Sequence, residues 1–186
     1  MLSNWVSKLG KNIWVFNLPR TSCNHKTELC DRYCYARKGR WFYGNVKKVI
    51  ELNLSQSQKP IFADLVDDEI KRLVISKSMK YMRIHSIGDF YNQRYYNKWE
   101  DVARRNPEVK FLAYTRNWEL DTSAKPSNFK MYFSIDRATK HINPTIRNYA
   151  YAIQEGEKIK GMLCQRKCYE CKHCYEGGKN VTFQIH

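Results

Sequence analysis

No apolar run in this 186-residue chain is long enough to cross a membrane. The first ten residues, Met1 to Gly10, have no apolar core of the signal-peptide kind. Both absences argue against insertion and export. Internal repeats and low-complexity segments are missing as well. Acidic residues are scarce: 18 Asp and Glu face 33 Lys and Arg, a formal charge of +15. Two cubane metal clusters would subtract about three charges, so the excess survives even then. A strongly basic surface attracts polyanions, nucleic acid first, but it equally offsets the charge of anionic clusters. Both readings stay open.

The composition argues against disorder, with 42% hydrophobic residues, thirteen Tyr and five Trp. The length suits one domain, residues 1–186, and is short for two. Seven cysteines are present. The number is odd, and they crowd into two short segments, which is wrong for a secreted disulfide framework. Metal-bound thiolates in a reducing cytoplasm fit better.

Short apolar strands alternate with helical stretches. Strands are expected at Asn12–Leu18, Tyr81–His85, Val109–Thr115, Lys130–Ile135 and Val181–Ile185, with another at Lys158–Leu163. Helices are expected at Trp41–Leu54, Ile61–Ile75, Tyr91–Arg105 and Pro144–Gln154. In the second of these, Ile61, Leu65, Ile70, Leu73 and Val74 approximate one apolar face. The alternation predicts an α/β fold with parallel strands, a small or incomplete (β/α) barrel over residues 1–160, with a cysteine-rich knuckle and closing strand at 161–186. In such folds the chemistry sits at the C-terminal ends of the strands.

Cys23, Cys30 and Cys34 lie in a polar loop at 20–40, after the first expected strand, spaced C-x6-C-x3-C. Three thiolates hold three irons of a [4Fe-4S] cube and leave the fourth open. Zinc, in a Cys3His set, is the main rival. His25 is read as a loop histidine rather than a fourth ligand. The stretch Leu18 to Arg40 (LPRTSCNHKTELCDRYCYARKGR), with RIHSIGDFY and FLAYTRN further on, resembles the phage-encoded gene product 88 domain family. That family is in turn similar to radical S-adenosylmethionine (SAM) enzymes, in which three cysteines follow the first barrel strand and an aromatic residue precedes the last. Tyr33 precedes Cys34 here, although the spacing differs from the usual C-x3-C-x2-C. The resemblance implies that the open iron binds SAM through its amino and carboxylate groups. One electron from the cluster then cleaves the sulfonium bond, so an electron donor is implied too.

Ser86, Gly88 and Asp89 follow the second strand, where radical SAM enzymes carry a segment that contacts the SAM amino group. The alternative is a strand-to-helix turn with Asp89 capping the Tyr91 helix. Arg83 and His85 alternate on one strand face, as neighbours of a cluster or substrate or as ion-pair partners of Asp89. Thr115 and Arg116 end the third strand, Ser134 and Asp136 the fourth, as polar lining for a barrel mouth or as solvated loop residues. Arg116 suits a carboxylate or phosphate. Asn53 is a cap or a buried polar contact, and Trp99 belongs to the core.

Cys164, Cys168, Cys171 and Cys174 are spaced C-x3-C-x2-C-x2-C. A straight helix would spread them over about 15 Å, so the segment must bend around its metal. Four cysteines within eleven residues resemble, in reverse, the compact ferredoxin spacing. Structural zinc usually takes two pairs separated by a longer loop. A second [4Fe-4S] cluster is therefore favoured, with zinc as the alternative. Basic and aromatic neighbours, among them Arg166, Lys167, Lys172, Tyr169 and Tyr175, suit either nucleic-acid contact or charge compensation with shielding. The expected function is a radical SAM-like iron–sulfur enzyme; the alternative is a non-catalytic iron–sulfur or zinc protein that binds nucleic acid.

Overall fold

The computed structural model describes residues 1–4, 9–10 and 12–185. The chain builds a seven-stranded, all-parallel sheet. In chain order the strands are β1 (Ile13–Phe16), β2 (Tyr81–Ile84), β3 (Lys110–Thr115), β4 (Phe129–Ile135), β5 (Asn148–Ile153), β6 (Met162–Leu163) and β7 (Val181–Gln184). The spatial order is β1-β2-β3-β4-β5-β7-β6, so β1 and β6 form the two edges and the sheet is not closed. An antiparallel bridge from Ser3 to Val15 covers part of the β1 edge. The helices are α1 (Glu28–Arg32), α2 (Gly44–Gln58), α3 (Phe62–Lys77), α4 (Gln93–Arg105) and the single turn α5 (Cys168–Cys171).

Strands buried on both faces divide their side chains between two cores. The outer face carries Phe16, Met82, Ile84, Phe111, Ala113, Phe129, Met131 and Phe133, packed under the helices. In α4, Tyr95, Trp99 and Val102 recur at helical spacing on the buried stripe. The Asn92 side chain caps that helix by accepting from the Tyr95 amide at 2.9 Å. Phe62 and Phe16 meet the edge of Trp99 at ring separations of 5.5 and 5.2 Å. The inner face carries Ile13, Val15, Leu112, Tyr132, Ala150 and Val181, with Tyr175 packed on them.

Several expectations need correction. Pro144–Gln154 is not a helix: β5 runs through Asn148–Ile153, hydrogen-bonded between β4 and β7. Its alanines are helix formers by intrinsic propensity. They instead sit among the inner-face residues, with Ala150 in the core and Ala152 lining a cavity, while the tyrosine rings of Tyr149 and Tyr151 neighbour each other. α2 continues to Gln58, four residues past the expected end, so only Lys59, Pro60 and Ile61 separate it from α3. The buried face of α3 is Phe62, Ala63, Val66, Asp67 and Ile70, whereas Ile61 and Leu65 are exposed. Asp67 belongs on that face because it accepts from Asn106 at 2.7 Å and Lys71 at 2.8 Å. The strand–helix alternation also lapses. β3 reaches β4, and β4 reaches β5, with no helix between them.

Candidate metal centre

The chain leaves β1 through Leu18 and Pro19 into a 3-10 turn at Arg20–Ser22, and Cys23 follows directly. The expected polar loop is more structured than its composition suggested. The Thr27 side chain caps α1 by accepting from the Cys30 amide at 3.0 Å, and this cap places Cys30. Thr27 also donates to Asp136 at 2.6 Å, tying the loop to the end of β4. Asp31, one residue past Cys30, holds Arg20 at 2.5 Å and also pairs with Arg37. Cys34 leads into a second 3-10 turn, Tyr35–Arg37, and the Tyr35 hydroxyl donates to the Ser86 carbonyl. Gln154, beyond β5, donates to the Tyr33 hydroxyl at 3.1 Å.

The end of β2 is fastened to the same loop. Asn17 accepts from the amides of Ser86 and Ile87 at 2.8 and 3.1 Å. Gly88 has φ +88°, and a Cβ there would stand 2.6 Å from the Leu18 Cβ and 2.9 Å from Ser22 Oγ. The glycine is therefore required by the close approach of the protein's own chain. Asp89 does not cap a helix, since Asn92 does, and neither Arg83 nor His85 pairs with it. It accepts instead from the Phe90 amide at 2.7 Å, the Thr115 hydroxyl at 2.7 Å and the Arg116 amide at 2.8 Å. Burial pushes its pKa up, and those hydrogen bonds oppose the shift. Arg116 has its carboxylate within the protein: it pairs with Asp136 at 2.9 Å, the two side chains 11% and 1% exposed, and donates to the Ser134 carbonyl at 3.2 Å.

Arg83 and His85 do not share a face. His85 takes the left-handed conformation, φ +62°, which turns its ring among Phe16, Phe90 and Tyr95 of the outer core. There it bonds the Tyr95 hydroxyl at 2.9 Å. Burial, and then the Arg83 charge, lower its pKa to about 3. Arg83 stays on the inner face with its guanidinium 4.0 Å from the centre of the Tyr114 ring.

The second cysteine segment packs across the inner face. The Cys164 amide donates to the Thr182 carbonyl at 2.8 Å, fixing the first cysteine beside β7. Arg166 and Lys172 adopt left-handed backbone, φ +60° and +48°, on either side of α5. They provide the bend that four closely spaced cysteines require. Tyr175, 2% exposed, anchors the segment edge-on to Tyr81 at 5.1 Å. Tyr169 is exposed, so of the two interleaved tyrosines only Tyr175 shields.

One cavity of about 620 Å³ is lined by all seven cysteines, with Tyr33, Arg83, Ser86, Gly88, Asp89, Thr115, Arg116 and Ser134. The two sets, more than a hundred residues apart in sequence, thus face one chamber. Every cysteine is half-buried and outside any disulfide. Burial pushes Cys23 up to about 12, reinforced by the Asp89 charge and then by Cys30 and Cys34. Burial raises Cys30 too, while the Arg116 guanidinium opposes it by charge and by hydrogen bond. Cys174 is pushed up to about 11 by burial, against the Tyr114 hydroxyl and the Arg83 charge. Crowded thiols in this condition hold their protons until a cation displaces them.

Among the described residues, no three His, Cys, Asp or Glu side chains converge as a single metal ion requires. A cube is wider than an ion and holds its thiolates farther apart. The donor chemistry, three and four soft sulfurs, is that of zinc sites and iron–sulfur clusters alike. Two lining residues, Ser86 and Tyr175, carry buried hydroxyls with no hydrogen-bond partner among the described residues. His25 points elsewhere, 3.4 Å from Glu119 and edge-on to Trp118. Asn53 is a buried contact to the Asn17 carbonyl at 3.0 Å, and Trp99 is fully buried. Tyr35 and Tyr114 line the cavity and were not singled out from sequence. For Tyr114 the signal existed, since strand alternation puts it on the face of Leu112.

The chain matches the gene product 88 family over residues 3–172. It is 27% identical over 197 aligned residues to the Gene 88 protein of Mycobacterium phage L5, covering 87% of this chain and 81% of that protein. No solved structure matches.

Proposed function

For this chain, which belongs to the gene product 88 family, we propose an iron–sulfur protein of radical SAM-like type. Cys23, Cys30 and Cys34 hold an open-site [4Fe-4S] cluster, and Cys164, Cys168, Cys171 and Cys174 hold an auxiliary one. The observation that carries this reading is the single cavity at the strand ends onto which both cysteine sets open. When bound, a cluster with an open iron supplies the electron that cleaves SAM. Within the chain, Ser86 offers an unpartnered hydroxyl to the cofactor. Among the described residues, Asp89 receives one hydrogen bond on Oδ2, which leaves that oxygen able to accept from an ammonium. Thr115 and Gly88 hold Asp89 and its strand end in place. Tyr33 and Ser134 line the chamber as well. Arg116, already paired with Asp136, orients the Cys30 region and is a poor candidate for the cofactor carboxylate. The electron donor is external, and thiols in this state suit the reducing cytoplasm.

A non-catalytic nucleic-acid-binding metal protein is the second reading. One specific observation favours it: Lys26, Lys38, Arg166, Lys167 and Lys172 all line the same cavity, in a chain of net charge +15. Zinc at the quartet is compatible with that reading.

The test is anaerobic reconstitution followed by metal and sulfide analysis and then a SAM-cleavage assay. About eight irons per chain, and 5′-deoxyadenosine after dithionite and SAM, are expected. Cys30→Ala should remove SAM cleavage, and Cys168→Ala should remove only the second cluster's signal. Stoichiometric zinc without sulfide sinks the iron–sulfur reading. Full clusters without any effect of SAM leave the binding-protein reading in front.

A further inference from the structure

Between Asp31 and Glu51 the chain carries six cations, Arg32, Arg37, Lys38, Arg40, Lys47 and Lys48, and no acidic residue. All six residues are exposed. Arg37 pairs with Asp31, and even with that pair counted the stretch stays strongly positive. Aromatic rings interleave with the charges. Trp41 is buried in a small core with Ala36, Ile50 and Ile87. It lies in the 3-10 turn Gly39–Phe42, which runs through Tyr43 into α2. With Trp41 turned inward, the next two rings face out: Phe42 is 55% and Tyr43 63% exposed. Two adjacent large rings this open to water mark a contact surface rather than a scattered apolar residue. The Lys47 ammonium lies 5.1 Å from the centre of the Phe42 ring. A Cβ at Gly39 or Gly44, on either side of the rings in the chain, would meet nothing within 4 Å. The protein's own atoms therefore leave the flanks of the rings open. On its N-terminal side the stretch reaches the cavity, which Tyr35 and Lys38 line.

We propose that residues 37–48 form a docking platform for single-stranded nucleic acid, on which Phe42 and Tyr43 stack against bases while Lys47 and Lys48 hold phosphates. The platform is separate from the cysteine knuckle, and only Lys38 of its residues lines the cavity. It rests on neither reading of the metal centre. The charge selects a polyanion, and the rings select its form. A duplex hides the faces of its bases in the stack, whereas unpaired bases offer a face to each ring. An anionic bilayer would also answer the charge, but it takes a broad apolar helix face. On α2 the exposed Val49 and Leu52 are instead flanked by exposed Lys48 and Glu51.

The experiment uses the full chain. Anisotropy titrations follow a labelled single strand of mixed sequence and the duplex made from it, and co-sedimentation follows vesicles of phosphatidylserine and phosphatidylcholine. The wild-type chain should bind the single strand more tightly than the duplex. Phe42→Ala and Tyr43→Ala should each weaken single-strand binding at least about fivefold and leave its salt dependence as it was. Lys47→Ala and Lys48→Ala should each flatten the logarithmic salt slope by about 0.7. Phe42→Leu keeps apolar bulk without a ring face and should lose affinity as Phe42→Ala does, whereas Phe42→Trp should keep it. Both rings lie outside the core, so none of these variants should shift the melting temperature. No binding of the single strand at low salt overturns the proposal. So does wild-type affinity in Phe42→Ala and Tyr43→Ala, or in Phe42→Leu. Capture on vesicles without single-strand binding overturns it too, and would make the surface a membrane contact. Metal content does not enter these readouts, so the iron–sulfur reading stands or falls apart from them.

Discussion

The two cysteine regions meet at one cavity but are held by different forces. The triplet loop is fastened by polar bonds of the protein itself. Thr27 caps α1 and reaches Asp136, Asp31 holds two arginines, and Asn17 and Ser22 tie the loop to the end of β2. The quartet segment has one turn of helix, two left-handed residues and an aromatic anchor, and its polar ties to the sheet lie at its two ends, where Arg166 donates to the Gln184 carbonyl and Glu176 pairs with Lys110 and accepts from Tyr81. A loop whose backbone is satisfied by its own capping and side-chain bonds can keep its shape before a metal arrives. A segment bent through left-handed residues around four closely spaced sulfurs would gain more of its order from a metal when one binds. On the iron–sulfur reading we therefore expect a pre-organised triplet region and a quartet that depends more on its metal.

The largest effect expected of that difference lies at Asp136. Its loss leaves the Arg116 guanidinium buried without its partner and strips an acceptor from Thr27 and from the Ala138 amide. Breaking a buried pair from one side costs about 3–5 kcal/mol. Asp136→Ala should show that loss in urea unfolding and should loosen the triplet loop. An effect under about 1 kcal/mol would mean that this loop, too, waits for its metal. Next comes Tyr175→Ala, which empties an aromatic site on the inner face at a cost of roughly 3 kcal/mol. Its damage should concentrate in residues 164–180, read as faster amide exchange there than in residues 20–37. Removing metal from the loaded protein should give the same ranking, with exchange accelerated on the order of a hundredfold in the quartet and much less in the triplet loop.

How much of this was legible in the sequence follows from the same division. The candidate metal ligands announce themselves by spacing, because a chelating segment must gather its sulfurs from a short stretch of chain. The strand sequences NIWVFNL, VKFLAYT and VTFQI were readable because β-branched and aromatic residues dominate them. β5 was not, because its core-facing residues are alanines, chosen for the space they leave rather than for their propensity. Nor was the orientation of His85, which depends on one left-handed residue overriding strand alternation. Least legible was the meeting of the two sets in one cavity. That arises from the insertion of β7 between β5 and β6, which lays the quartet across the inner face.

His85 gives a smaller and pH-dependent effect that belongs to neither cysteine region. Its folded pKa, about 3, lies below the ordinary 6.5 because of burial and the Arg83 charge. The unfolded chain therefore binds the extra proton between those values. Stability is fully present above pH 6.5 and is lost as the pH falls towards 3. Urea titrations across this range should show a slope of about one proton that disappears in His85→Asn, a substitution that tolerates the left-handed backbone. An unchanged slope would show that the ring is solvated in the folded protein.

The smallest stability effect separates the regions by charge. Lys167 faces Glu170 at 3.8 Å, with both side chains more than half exposed, so Lys167→Ala should shift stability by less than about 0.5 kcal/mol. What the substitution can change is polyanion affinity. A lysine that neutralises one phosphate releases one counterion, and its removal flattens the logarithmic salt dependence of binding by about 0.7 to 0.9. Lys26 and Lys38 stand on the triplet side of the same cavity, and Lys167 and Lys172 on the quartet side. Anisotropy titrations of single-stranded DNA at several salt concentrations, on Lys26→Ala and Lys167→Ala, therefore locate the contact. A reduced slope only for Lys167→Ala places nucleic acid on the metal-dependent region and predicts that metal removal abolishes binding. A reduced slope only for Lys26→Ala places it on the pre-organised loop, where binding should survive metal removal. Equal reductions would draw one strand across the mouth of the cavity, and no reduction in either would leave the cavity lysines without a nucleic-acid role.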